Sequence, residues 1–333
     1  MTIKDIAKES GYAVSTVSRA LNDHPDVSAE AKRKIKAIIA HHGFVPNTNA
    51  RQLKVQQSRV ILILVKGAFN LFFTAIIERM QTAIADADYS AEVHYLDEEA
   101  DEVLVGAQLQ RERKPLGFIF LGGNVALFQR RFDTIHVPSV LATTVSADLT
   151  FPTLSMVGID DADAGASACR YLLSKGHRHI GVIGGNPDNS YISALRYQGF
   201  TQAFSATGAA HDDSYYQKSS YSMDSGYAAL QNLLARHSDI TAVFCMSDLI
   251  AIGAMRAAHD SGLCVPTDLS ILGFDGLSLG QFYTPKLASM RQPQAEIADR
   301  SVELLLAQIE KDAPARSIVL DTVLVEGESV YSL

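Results

Sequence analysis

Two hydrophobic periods divide this 333-residue chain. Up to about residue 42 the apolar positions recur at three- and four-residue intervals, as in Ile3, Ile6 and Ala7, then Val17, Ala20 and Leu21, then Ile35, Ile38 and Ile39. That is the period of short amphipathic helices. Thr2 followed by Asp5 reads as a capping pair at the first helix. Ser10-Gly11 breaks the pattern, glycine suiting the left-handed turn after a helix. The spacing predicts a second helix over Val14 to Leu21, with Val14, Ser15, Ser18 and Arg19 facing outward. Asn22 to Asp26 is a polar turn containing Pro25. Ser28 caps a predicted third helix that runs to about His42, where Gly43 ends it and Phe44 packs back. Two short helices around a glycine turn form the helix-turn-helix pattern, whose second helix enters the DNA major groove.

From Val60 the pattern changes. Short apolar runs read as strands at Val60–Val65, Ala91–Tyr95, Gly117–Leu121, Pro138–Leu141, Ile180–Ile183, Ala242–Cys245 and Leu269–Gly273. Between them, helical spacing covers Phe72–Ala87, Ala162–Lys175, Ser193–Ala206, Ser225–Ala235 and Asp248–Ser261. Strands alternating with helices predict parallel sheets covered on both faces, an α/β fold. About 275 residues of this exceed one ordinary sheet domain and imply two lobes. Ligands of open α/β sheets sit beyond the carboxyl ends of the strands, so the cleft between two such lobes is the expected site.

Charge sharpens the division. The chain carries a net −8, yet residues 1–58 hold nine Lys/Arg against five acids, +4, leaving −12 for the remainder. A basic head on an acidic body fits a phosphate-binding module joined to something else. No apolar run approaches the ~18 residues that span a bilayer. Lys4, Asp5, Lys8 and Glu9 stand where a signal peptide needs its apolar region, so a cytoplasmic protein without membrane contact is expected. Cys169, Cys245 and Cys264 lack metal-ligand spacing and read as reduced core residues; no metal and no cofactor is expected. There is no G-x-S-x-G elbow, H-E-x-x-H pair or G-x-x-x-x-G-K-[ST] loop, and His177 and His179 read as packing or surface residues. No enzymatic role is assigned.

The string STVSRALN over residues 15–22, followed by VSAEAKRKI and GFVPN, resembles the headpiece of the lac repressor / gal repressor family of bacterial transcription regulators. The resemblance implies that Val14 and Ser15 are the specificity pair, Val14 suiting a thymine methyl. Arg19 could donate to guanine or to phosphate. Thr16, Ser18 and Asn22 are expected on phosphates, which position the headpiece without reading sequence. Thr2, Asn47, Ala50 and Leu53 complete the implied DNA contacts. In the family, the segment matching residues 47–58 is a hinge helix whose leucine, here Leu53, wedges into the minor groove. Tyr12-Ala13 departs from the family's valine-serine, and Ala13 cannot cap the second helix.

The resemblance runs through the rest of the chain, most specifically in VPTDLSILGFD over residues 265–275. It implies a two-lobed core like the periplasmic sugar-binding proteins, with crossings near residues 159, 289 and 319. The implied organisation is a headpiece over 1–46 and a hinge over 47–58. A first lobe covers 59–159 and 290–319, and a second covers 160–289 and 320–333. Asn70, Phe72, Phe73, Arg196, Ser247, Asp275 and Gln292 are the implied effector contacts. An arginine and a carboxylate together hold vicinal hydroxyls well. From the residues alone, Phe72 and Phe73 fit core packing equally, and Arg196 and Asp275 fit a lobe-bridging or surface salt bridge. Leu116-Gly117 and Thr143-Thr144 replace residues that are often charged or polar in the family. The expectation is a homodimeric repressor on a near-palindromic operator, controlled by a small molecule, most plausibly a sugar. The alternatives are a purine or nucleoside corepressor, or a sugar-binding protein that does not bind DNA.

Overall fold

The computed structural model describes residues 3–21, 26–42, 59–67, 70–208 and 211–333. It divides into two compact units, Met1–Gln57 and Ser58–Leu333.

In the first unit, helices α1 (Ile3–Ser10), α2 (Val14–Leu21) and α3 (Ala29–His41) surround a small core. Ile6, Ala7, Val17, Ala20, Val27, Ala31 and Ile35 are buried there, the side that the helical spacing marked. Gly11 takes φ +76°, the left-handed turn that lets α2 leave α1 at an angle. Its amide donates to the Ala7 carbonyl at 3.1 Å, closing α1. The Ser28 hydroxyl accepts from Ala31 N at 3.3 Å and caps α3. The expected hinge over 47–58, and the expected end of α3 at Gly43, lie outside the described residues.

The second unit holds two six-stranded sheets. The first lobe is built from β1 (Val60–Lys66), α4 (Leu71–Asp86), β2 (Ser90–Leu96), α5 (Glu102–Arg113), β3 (Gly117–Leu121), α6 (Val125–Arg131), β4 (Ser139–Ala142) and β5 (Leu154–Ile159). The chain then crosses into α7 (Asp161–Ser174), β6 (Ile180–Gly184), α8 (Tyr191–Ser205), β7 (Tyr216–Lys218), α9 (Met223–Arg236), β8 (Ala242–Cys245), α10 (Asp248–Asp260), β9 (Ser270–Asp275) and β10 (Ala288–Arg291). It returns as α11 (Gln294–Lys311) and β11 (Ser317–Leu320) and crosses a last time into β12 (Val323–Val325). The sheet orders are β11-β5-β4-β3-β1-β2 and β12-β10-β9-β8-β6-β7. Every described pairing is parallel except β10 with β12. Helices on both faces bury the central strands completely, which explains their continuous apolar runs.

Two corrections follow for the lobe boundaries. Met290 and Arg291, expected in the first lobe, pair with β9 in the second sheet. Leu320, expected in the second lobe, pairs with Ile159 in the first. The apolar run Leu287–Met290 has no internal breaker, so the crossing waits for Gln292-Pro293, where proline starts α11. Strands β5, β7, β10, β11 and β12 and helices α5, α6 and α11 lie outside the expected elements. In β5, Ser155 and Gly158 interrupt the apolar run although both stand inside the sheet.

The second lobe is tied by helix pairs that meet at backbone distance. A Cβ on Gly199 of α8 would stand 1.8 Å from the Ala162 carbonyl oxygen, and one on Gly165 of α7 would stand 2.0 Å from that of Arg196. Gly253 of α10 and Gly226 of α9 make the same approach, at 2.0 Å to Met223 O and 2.4 Å to Ile250 O. Across the lobes, Leu249 and Leu277 pack in one apolar cluster with Phe72, Phe73, Ile76 and Ile297. The Tyr191 hydroxyl donates to Ser146 Oγ at 3.1 Å, joining the start of α8 to the loop after β4.

Candidate DNA-binding and effector sites

On α2, Val17 and Ala20 are buried, which turns Val14, Ser15 and Arg19 to solvent. Val14 is 42% exposed and stands outside the small core. Thr16 and Ser18 are half-buried at the edge of this face. Tyr12, one of the two departures, is partly buried against the headpiece core and lies 5.7 Å beneath the Lys34 ammonium. Ala13 is exposed and offers no cap. Thr2, Asn22, Asn47, Ala50 and Leu53 lie outside the described residues.

In the core unit, Arg196, Asp275 and Gln292 lie together in the second lobe, while Asn70, Phe72 and Phe73 follow β1 of the first. Arg196 sits on the second turn of α8 and is only 4% exposed. Its Nε donates to Asp161 Oδ1 at 2.8 Å and its Nη1 to the Met246 carbonyl at 2.9 Å. Its guanidinium carbon stands 3.7 Å from the centre of the Phe274 ring, a stacked cation–π geometry. The salt bridge open to Arg196 is therefore formed within the second lobe, with Asp161 and not with Asp275.

Asp275 ends β9 and is 5% exposed. It takes φ +101°, a conformation that side-chain-bearing residues avoid and that marks functional positions when the surroundings enforce it. The enforcement comes from Gln292, whose Nε2 donates to Asp275 Oδ1 at 2.8 Å and whose backbone amide reaches the Asp275 carbonyl at 3.2 Å. Burial pushes the Asp275 carboxyl up to about 8, Arg196 pulls it down, and nearby Asp248 raises it further. Burial also raises Asp161, with Arg196 opposing. One cation thus serves two buried carboxyls.

The other candidates divide. Asn70 caps α4, its Oδ1 accepting from Phe72 N at 3.0 Å. Ser247 caps α10, its Oγ accepting from Ile250 N at 3.2 Å. Phe72 is 3% and Phe73 9% exposed within the interlobe cluster, so their present contacts are those of packing. The Phe73 ring edge lies where a Cβ on Gly122 would stand, at 3.1 Å.

Sequence reasoning missed several groups here. Asp161 holds Arg196, and the Tyr221 hydroxyl shares a 2.8 Å hydrogen bond with Ser193 Oγ beside it. Thr143, at φ +72°, and Thr144 follow β4 with buried hydroxyls that have no partner among the described residues. A buried orphan hydroxyl costs about 1–3 kcal/mol. The two stood out in the sequence only as departures. Open grooves of about 530 and 560 Å³ lie elsewhere, one between Leu149–Phe151 and Asp312–Ser317, the other along α4 beside Asp299. Neither contains any of these residues.

A helix-turn-helix unit with an exposed second helix, joined to a two-lobed α/β core that holds Arg196, Asp275 and Gln292 together, has the make-up of a ligand-controlled DNA-binding regulator. Residues 2–47 match the family of bacterial regulatory proteins of the lacI type, and residues 169–330 match the periplasmic binding protein-like domain. The chain is 36% identical to the HTH-type transcriptional regulator MalR of Clostridium butyricum, each chain being covered completely. It is 32% identical to the ribose operon repressor of Haemophilus influenzae, over all of this chain and 99% of that one. A solved complex of the transcriptional regulator CelR with cellobiose superposes with a TM-score of 0.74 at 25% identity, covering 99% of each chain. The chain belongs to the LacI family: it is a DNA-binding transcriptional regulator, not an enzyme. Among the described residues, no helix is long and apolar enough to cross a membrane.

Proposed function

We propose that this regulator is a homodimeric repressor of a near-palindromic operator, released or engaged by a neutral sugar bound between the lobes. The observation that carries the effector reading is the convergence of Arg196, Asp275 and Gln292 at the strand ends, with Asp275 held in an unfavourable backbone conformation. A carboxyl and a guanidinium flanked by buried hydroxyls suit a ligand rich in vicinal hydroxyls. The ribose repressor and the cellobiose complex among its relatives support the same ligand class. In the headpiece, Val14 and Ser15 read base edges, and Arg19 contributes a base or phosphate contact. Thr2, Thr16, Ser18, Asn22 and Asn47 position the unit on phosphates, while Ala50 and Leu53 act in the minor groove. Cytoplasmic location belongs to the same reading.

The sugar acts by binding one lobe arrangement better than another, because only a differential affinity shifts such an equilibrium. Two measurements on the full chain test the whole reading. Selection from a random duplex pool should recover a near-palindrome of two half-sites. A thermal-shift screen of pentoses, hexoses, disaccharides and nucleosides should single out a sugar. Recovery of unrelated sequences ends the operator reading, and stabilisation by nucleosides alone replaces the sugar.

A further inference from the structure

The turn that presents Asp275 is not held by Asp275's own contacts alone. It is tied from behind by Asp248, the first residue of α10, which is fully buried. Asp248 Oδ2 accepts from the Leu277 amide at 2.5 Å, and Oδ1 accepts from the Ser289 hydroxyl at 2.6 Å. Ser289 Oγ in turn accepts from the Gly276 amide at 3.0 Å. One carboxylate thus joins the start of α10, the turn after β9 and the middle of β10.

The surroundings are cut to admit it. A Cβ on Gly273 would stand 2.2 Å from Asp248 Oδ1, so only glycine leaves room for the carboxylate beside β9. Gly276, at φ +68°, would place a Cβ 2.4 Å from the Arg291 side chain. The donors around Asp248 are backbone amides and a hydroxyl, and burial still pushes its carboxyl up to about 7. A buried carboxyl solvated by a turn, with no cation against it, is an expensive way to hold two strands together. Its neighbours show what the turn serves. On one side of Leu277 is Asp275, facing Arg196 and Gln292. Leu277 itself, and Leu249 next to Asp248, pack into the cluster of the first lobe.

We propose that Asp248 is a positioning residue for the effector response: it fixes the 275–277 turn so that Asp275 is presented to the cleft while Leu277 is presented to the opposite lobe. Ligand grip and lobe contact are then two ends of one short segment, and a shift at either end is transmitted to the other. This rests on the effector reading above for what the turn presents Asp275 to.

The test uses the full chain with Asp248→Ala, Asp248→Asn, Leu277→Ala and Asp275→Ala. Asn keeps an oxygen for the Leu277 amide, and its NH₂ faces an Oγ that can still accept, so it should hold the turn where Ala cannot. Amide exchange followed by mass spectrometry should show Gly276 and Leu277 exchanging at least tenfold faster in Asp248→Ala. Asp248→Asn should stay within about threefold of the parent, and the strand amides of β8 and β9 should keep their protection in both. Ribose and cellobiose serve as ligand probes by calorimetry, and whichever binds the parent should bind Asp248→Ala at least tenfold more weakly. Leu277→Ala should leave that affinity closer to the parent while reducing the sugar's effect on lobe closure, measured as a distance between spin labels placed in each lobe. Unchanged exchange at 276–277 in Asp248→Ala, or a uniform loosening of the whole lobe, overturns the proposal. So does failure of Asn to restore protection. If Asp275→Ala leaves sugar affinity intact while Asp248→Ala frees the turn, the effector site is misplaced but the positioning role of Asp248 stands.

Discussion

Arg196 and Asp161 face each other at 2.8 Å with side chains 5% and 3% exposed. Removing one member leaves the other buried without its counter-charge. For Arg196→Met, the loss from such a broken buried pair is about 3–5 kcal/mol. The stacking on Phe274 adds roughly 1–2 kcal/mol to that loss. Asp161→Asn keeps an oxygen that can accept, and Asp275 stays near the guanidinium, so its cost should be smaller, about 2–3 kcal/mol. In the double variant neither member of this pair faces a missing partner, and the two losses should fall short of their sum by about 2 kcal/mol. Urea unfolding of the full chain at pH 7, followed by far-ultraviolet circular dichroism, measures all four corners of this cycle. The signal comes mainly from the core helices, where both residues sit. Additive losses, or an Arg196→Met cost below about 1 kcal/mol, would refute the argument that the pair is held in a low-dielectric setting. A second readout separates structure from function. Sugar-induced stabilisation should vanish in Arg196→Met and survive, weakened, in Asp161→Asn.

Arg19→Ala should abolish binding to the selected operator in gel shifts while leaving sugar-induced stabilisation unchanged; retained operator affinity removes Arg19 from the interface. Asp275 is raised from the ordinary carboxylate range to about 8, so the folded state binds its proton more tightly than the unfolded state. Its stabilising proton is fully present below about pH 4 and lost as pH rises through 8, at up to about 1.4 kcal/mol per pH unit between those limits. The ligand-free protein should therefore lose stability in urea from pH 6 to pH 8, and Asp275→Asn should flatten that slope; an unaltered slope assigns it elsewhere. Phe282, in the short 3₁₀ turn over Ser278–Phe282, is 86% exposed, and the homodimer proposed above is expected to cover it. Phe282→Asp should shift the sedimenting species from dimer to monomer, and an undisturbed dimer places the interface on another face.

The headpiece was legible because its signals are local. Three runs of helical period and one glycine at the turn specify α1 to α3, and the same period says that Val14, Ser15 and Arg19 face out. The two-sheet core was legible from its buried strands for the reason given by burial on both faces. Two edge strands passed unseen: Tyr216–Lys218 carries no such run, and the apolar Val323–Val325 is only three residues long. Helix α5 escaped because its apolar residues are consecutive: Val103 is buried while Leu104 is 52% exposed. At the cleft, resemblance pointed to Arg196 and Asp275, but not to what holds them. The partner of Arg196 lies 35 residues away, and those of Asp248 lie 29 and 41 residues away. Such pairs are created by the fold, and nothing in local spacing announces them.

The glycine contacts between α7 and α8, and between α9 and α10, bear on how this protein can acquire new ligands. Where carbonyl oxygens fill the space a methyl group would need, the four helices behave as two fused girders with no slack for repacking. The second lobe has little freedom to breathe around a differently shaped guest. A change of specificity has to come from exchanging the groups that line the cleft. Changes of response are left to the crossings at Asp160, Gln292-Pro293 and Asp321-Thr322 and to the 275–277 turn that touches the first lobe. Ligand preference and switching then meet at that one turn, so a change there alters both, while a change at a crossing alters the switching alone.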